Sequence, residues 1–167
     1  MNWYALRSKP QKEDILFRQV KSHGIEVYYP RTRVQPVNPR SRKIKPYFPG
    51  YMFVQVDIDE IGLSTFQWMP HAVGLVCFGD EPAIVPDHLI YILKKRVSEI
   101  VAAGGELFDG LKSGDTIIIS DGPFAGYEAI FDARVPGNER VRVLLKLLNN
   151  QRIVPLELKT GQISRRK

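Results

Sequence analysis

The spacing of apolar and polar positions divides this 167-residue chain into two textures. Trp3 to Arg7 is a short aromatic and apolar strand, closed by Pro10. Lys12 to His23 places Ile15, Leu16 and Val20 near helical spacing, with Gly24 as a stop. Ile25 to Tyr29 reads as a second strand ended by Pro30, and the polar, basic stretch 31–45 as a hairpin. The run Tyr51 to Asp57 follows a turn in which Pro49 fixes its own φ and Gly50 permits the bend. Met52, Val54 and Val56 fall on one face of this strand, and Tyr51, Phe53 and Gln55 on the other. A strand apolar on both sides is either buried twice or carries a partner surface, and pattern alone favours double burial.

Asp59 is placed to cap a short helix from Glu60 to Gln67, which Pro70 ends. Val73 to Phe78 is a further strand, and Ala83 to Val85 is short and extended. From Pro86 to about Ile100, Leu89, Ile90, Leu93, Val97 and Ile100 give the stripe of an amphipathic helix. Residues 1–100 therefore predict an α+β domain, a sheet flanked by helices. Residues 101–111, with Gly104-Gly105, read as a linker. Beyond it, Thr116 to Ser120, Tyr127 to Arg134, Arg140 to Leu148 and Arg152 to Leu158 are β-like runs separated by turn signals. Short strands at that spacing predict a small β-barrel over 112–167.

Composition narrows the function. The chain is 44% apolar and 25% charged, as expected of a folded soluble protein. Its N-terminus lacks a signal-peptide pattern, and no apolar run reaches the ~18 residues of a membrane span. The expectation is a cytoplasmic monomer with no membrane association. The net charge is +6, but residues 1–45 hold eleven Lys/Arg against three acids, a local +8. That imbalance suits contact with phosphates; a solvated basic face is the competing explanation. Candidate chemistry is absent. His23, His71 and His88 lack metal-type spacing, Cys77 stands alone mid-strand, and no phosphate-binding glycine motif occurs. No enzyme, cofactor or metal is expected.

Four segments together carry a resemblance: Trp3-Tyr4, Phe48-Pro49-Gly50-Tyr51, Pro70-His71-Ala72-Val73-Gly74 and Asp121-Gly122-Pro123-Phe124-Ala125-Gly126. In this order, over nearly the whole chain, they resemble the NusG family of transcription elongation factors, with an N-terminal NGN domain and a C-terminal SH3-like KOW barrel. The runs Phe78 to Pro86, Glu128 to Phe131 and Leu144 to Asn149 lean toward the specialised RfaH branch.

The resemblance implies an elongation and antitermination factor that binds RNA polymerase, reduces pausing and termination, and couples transcription to translation. It implies that Tyr51, Phe53, Phe78, Ile90 and Leu93 dock on the clamp helices of the polymerase β′ subunit. Gly62, Leu63, Ser64 and Thr65 would meet the gate loop of the β subunit. Lys9, Arg18, Lys21, Trp68 and His71 would contact the non-template DNA strand. Phe131, Leu144, Leu145, Leu147, Leu148 and Ile153 would form a C-terminal face. That face would meet a small ribosomal subunit protein, in preference to Rho, or mask the polymerase site. The alternatives are a general NusG-type factor recruiting Rho, and a ribosome- or RNA-binding KOW protein. In the RfaH branch the C-terminal domain also exists as an α-helical hairpin packed on the NGN domain. Here the barrel is expected instead. Lys45 would face Arg140 and repel it, and Pro123 would fall inside the first hairpin helix, at ~3 kcal/mol.

Overall fold

In the computed structural model, residues 1–33, 44–102 and 125–153 are described. The first strand, β1 (Asn2–Ser8), lies inside an antiparallel sheet. It pairs with β5 (Tyr51–Val56) on one side and with β6 (Ala72–Leu75) and β9 (Ile84–Val85) on the other. β2 (Glu26–Tyr28) adds to the outer edge of β5. The register Ala5↔Phe53, Arg7↔Tyr51 and Tyr28↔Phe53 sets these residues level across the sheet. Two small ribbons stand off it, β3 (Arg31–Arg33) with β4 (Ile44–Pro46), and β7 (Cys77–Phe78) with β8 (Glu81–Pro82).

Each sheet face buries its own core. Tyr4, Leu6, Met52, Val54 and Val56 pack with Leu16 and Val20 of α1 (Glu13–Ser22) and with Phe66 of α3 (Ser64–Trp68). On the opposite face Trp3, Ala5, Tyr51 and Phe53 pack with Leu89, Ile90, Leu93, Val97 and Ile100 of α4 (Asp87–Ala102). Ile130, Leu144 and Leu148 from the C-terminal segment complete that second core. The strand that is apolar on both sides is thus buried on both, by one core below and another above.

The N-terminal elements fall close to their predicted places, with two local corrections. The expected helix from Glu60 is two short helices, α2 (Ile58–Ile61) and α3, split at Gly62, whose φ is 82°. The cap is Asp57, whose Oδ1 accepts the Asp59 amide at 3.0 Å, rather than Asp59. The expected strand from Val73 to Phe78 is interrupted, and its last two residues pair in a ribbon of their own.

The larger correction is C-terminal. Tyr127 to Arg134 and Arg140 to Leu148 are expected as barrel strands, and these stretches instead fall in an α-helical hairpin, α5 (Ala125–Phe131) and α6 (Gly137–Ile153). The apolar run Arg140 to Leu148 satisfies both periods, so tertiary burial decides between them. In the helix, Arg140, Leu144 and Leu148 recur every four residues and all three are buried. Gly126 is a contact point in α5, where a Cβ would lie 3.2 Å from Leu147 Cδ2. Pro123, the expected strand from Thr116 and most of the expected linker lie outside the described residues.

Candidate docking face and nucleic-acid corner

The expected polymerase-docking residues come together. Tyr51, Phe53, Ile90 and Leu93 share one buried core, and half-buried Phe78 packs against it. Aromatic rings organise the face: Phe48 meets Phe53 edge-on at 5.7 Å, and Tyr28 stacks on Phe53 at 6.2 Å. Offset and edge-on pairs are the arrangements that ring quadrupoles favour. This surface is closed by the hairpin. Leu144 and Leu148 are buried in its core, and Phe131, Leu145 and Leu147 are partly buried against it. Ile153 sits in the last turn of α6, and its side chain lies outside the described residues.

Three polar or steric contacts fix the hairpin. Arg140 is only 2% exposed. Its Nε donates to the Tyr47 carbonyl at 2.9 Å, and its guanidinium lies over the Tyr47 ring at 3.8 Å. Its Nη1 donates to the Val135 and Ala133 carbonyls, tying α6 to the preceding turn. Arg96 of α4 donates from Nε to the Phe131 carbonyl at 3.0 Å, at the end of α5. Gly137 opens α6 directly against Pro49, where a Cβ would lie 2.8 Å from Pro49 Cδ. The expected repulsion between Lys45 and Arg140 does not arise. Lys45 is exposed on β4, and Arg140 turns inward to a carbonyl and a ring.

Sequence reasoning missed Tyr47, Arg96 and the role of Gly137. The Tyr47-Phe48-Pro49 aromatic turn was the available signal. Backbone carbonyl acceptors leave no trace in side-chain pattern.

Two of the expected DNA-contact residues, Lys9 and His71, are joined at one corner of the sheet, and Trp68 ends α3, the helix that packs on β6. The Lys9 amide donates to the His71 carbonyl at 2.8 Å. Trp68 is 84% exposed at the end of α3, and Lys9 is exposed beside the end of β1. Among the described residues, the non-glycine positions with positive φ are His71 (70°) and Gln11 (60°), both in the loops that form this corner. Such strain persists only where surrounding structure imposes it, and it concentrates at functional sites. Arg18 and Lys21 lie along α1, where Lys21 Nζ sits 5.8 Å from the Phe17 ring. No described hydrogen bond or ring contact joins either to the corner.

Gly62, Leu63, Ser64 and Thr65 form the α2–α3 junction. Thr65 Oγ1 donates to the Ile61 carbonyl at 2.6 Å, Leu63 packs into the lower core, and Ser64 is exposed.

Among the described ionisable groups, Tyr28 is the most strongly perturbed. Burial, then Tyr47 nearby, pushes the Tyr28 phenol above its ordinary pKa. Burial, then Asp80, raises the Cys77 thiol, away from nucleophilic reactivity. A hydrogen bond from Arg134 holds the Asp132 carboxyl below the usual carboxylate range. Among the described residues no group of three or more His, Cys, Asp and Glu could hold a metal. No helix among them is long and apolar enough to cross a membrane.

The family model described as "Transcription termination factor nusG" matches residues 1–94. The "Transcription termination/antitermination protein NusG" of Helicobacter pylori strain J99 is 20% identical, over 99% of this chain and 98% of its own. The protein of the same name from Pseudomonas aeruginosa is 26% identical, over 98% and 97% respectively. A solved structure described as "Domain interaction in Thermotoga maritima NusG" is 20% identical, covers 74% of each chain and superposes with a TM-score of 0.42.

Proposed function

Given that the chain belongs to the NusG family, we propose that it is a transcription elongation and antitermination factor with two states, closed and polymerase-bound. One observation carries this reading. The aromatic sheet face bearing Tyr51 and Phe53 is covered by the chain's own helical hairpin, anchored through Arg140. A face of this size would be a conspicuous apolar patch if uncovered. It therefore suits a partner that replaces the hairpin.

In this reading that partner is RNA polymerase. The clamp helices of β′ dock on Tyr51, Phe53, Phe78, Ile90 and Leu93, and the β gate loop meets Gly62 to Thr65. Bridging the two subunits holds the clamp closed and suppresses pausing, a mechanism without bond chemistry. Lys9, Trp68 and His71 contact non-template DNA, with base stacking on the exposed indole and phosphate contact at Lys9. Arg18 and Lys21 add charge from α1. The domains are 1–100 for polymerase, 101–111 as linker and 112–167 as the KOW domain, whose residues 125–153 supply the cover. Released from the face, residues 112–167 adopt the barrel and present Leu147, Leu148 and Ile153 to a small ribosomal subunit protein.

Co-purification with core RNA polymerase tests the reading. Tyr51→Ala should abolish retention, and an in vitro elongation assay should show reduced pausing with the unsubstituted protein. Retention unaffected by Tyr51→Ala would contradict it.

A further inference from the structure

The covered face holds a polar group, the Tyr28 phenol, that none of the described residues of its cover is seen to engage. Tyr28 ends β2 opposite Phe53, and its ring stacks on Phe53 at 6.2 Å with a 21° interplanar angle. Its hydroxyl oxygen is buried and has no hydrogen-bond partner among the described residues. A buried hydroxyl without a partner costs stability, because water has been removed and nothing replaces it. Phenylalanine would fill the same space without that cost. The hairpin brings Ile130, Leu144 and Leu148 to the shared core, and its buried Arg140 is engaged with Tyr47 and with carbonyls of its own turn. Among the described residues, the closed state therefore gives the phenol no acceptor or donor.

A cation stands beside it. Lys94 of α4 is exposed, and its Nζ lies 5.3 Å from the Tyr28 ring and 5.1 Å from the Trp3 ring. A phenolic O–H and an ammonium group thus both belong to the surroundings of the Tyr28 ring, on an otherwise apolar face. Both are donors, and a carboxylate accepts from both.

We propose that Tyr28 and Lys94 form a polar recognition pair on this face, and that it takes an acidic side chain of the polymerase element that displaces the hairpin. The inference rests on the polymerase reading above and adds to it the chemistry of the partner at that point. It also gives the exchange a direction. Moving from hairpin to polymerase satisfies a hydroxyl that the described residues of the cover leave without a partner, so the cover is a poorer fit than the partner it imitates.

The experiment uses the full chain and core RNA polymerase. Tyr28→Phe would be measured in the native background and in Gly137→Val, whose side chain cannot fit against Pro49 and which therefore holds the hairpin away. In the opened background, Tyr28→Phe should weaken polymerase binding about three- to tenfold, the range of one net hydrogen bond. Lys94→Met should weaken it similarly and flatten its salt dependence. In the native background, Tyr28→Phe should leave protection of the α6 amides equal or higher, which also reports that the variant folds. Leu144→Asp supplies a second opened background. Equal or tighter binding by Tyr28→Phe in both opened backgrounds would overturn the inference, provided Tyr51→Ala still abolishes binding. If Tyr51→Ala is silent as well, the polymerase reading itself fails and this inference falls with it.

Discussion

Arg140 is where a single side chain decides most. It is buried, yet its charge is met by the Tyr47 carbonyl, the Tyr47 ring and two carbonyls of its own turn. Removing a charged donor from such a site costs about 1.5–3 kcal/mol. Arg140→Ala should therefore lower hydrogen-exchange protection of the α6 amides by about 10- to 100-fold, with β1 and β5 amides unchanged. Equal losses in the sheet would mean that the whole chain had been destabilised. Gly137 acts by absence. An added Cβ would meet the Pro49 ring at 2.8 Å, and a ring tied to the backbone yields less than a flexible side-chain end. Gly137→Ala should weaken docking by about 1–3 kcal/mol, read as the same selective loss in α6. These contacts were poorly legible in the sequence. The charges at 45 and 140 were visible and suggested repulsion, but the acceptor that matters is a main-chain carbonyl. By contrast, the aromatic residues of the docking face were legible one by one, because a strand with Tyr51 and Phe53 opposite Met52 and Val54 has no solvent side.

At the scale of elements, the N-terminal half could be read from period and punctuation. Short apolar runs bounded by Pro and Gly marked β1 and β5, and the 3.6-residue stripe marked α4. The helical hairpin could not be read this way. Val141 to Leu148 carries apolar residues at both periods, and Pro123 and the charges at 45 and 140 argued for the barrel. Burial settles the matter: Leu144 and Leu148 point into the aromatic face, and Gly126 lets the two helices approach. Gly126→Val should separate α5 from α6 and cost about 1–3 kcal/mol of hairpin stability, because its branched side chain enters the space of Leu147. A loss confined to the few tenths expected from helix propensity alone would contradict that account. The turn between these helices carries a pH signature. Arg134 holds the Asp132 carboxyl low, so this interaction supports the turn above the ordinary carboxylate pKa of about 3.9 and is lost as pH falls below it. Protection of the α5–α6 turn should decline below about pH 4, and Asp132→Asn should remove that acid dependence.

For the whole molecule, one sheet is buried on both faces, below by α1 and α3 and above by α4 and the hairpin. The lower face is ordinary core. The upper face is completed by a segment that would be exchanged for polymerase, and the candidate nucleic-acid corner at Lys9, Trp68 and His71 stays open beside it. Phe53 is fully buried, so Phe53→Ala would cost about 3–5 kcal/mol and report on stability as much as on docking. Tyr51, at 8% exposure near the edge, is the cleaner probe. The central claim is that the hairpin and RNA polymerase compete for this face. The most direct test is the affinity of the full chain for core RNA polymerase, with and without Arg140→Ala. Competition predicts that loosening the cover tightens polymerase binding, by up to about tenfold if a tenth of the unsubstituted chain is open. Unchanged or weaker binding by Arg140→Ala, with its sheet intact, would contradict the claim.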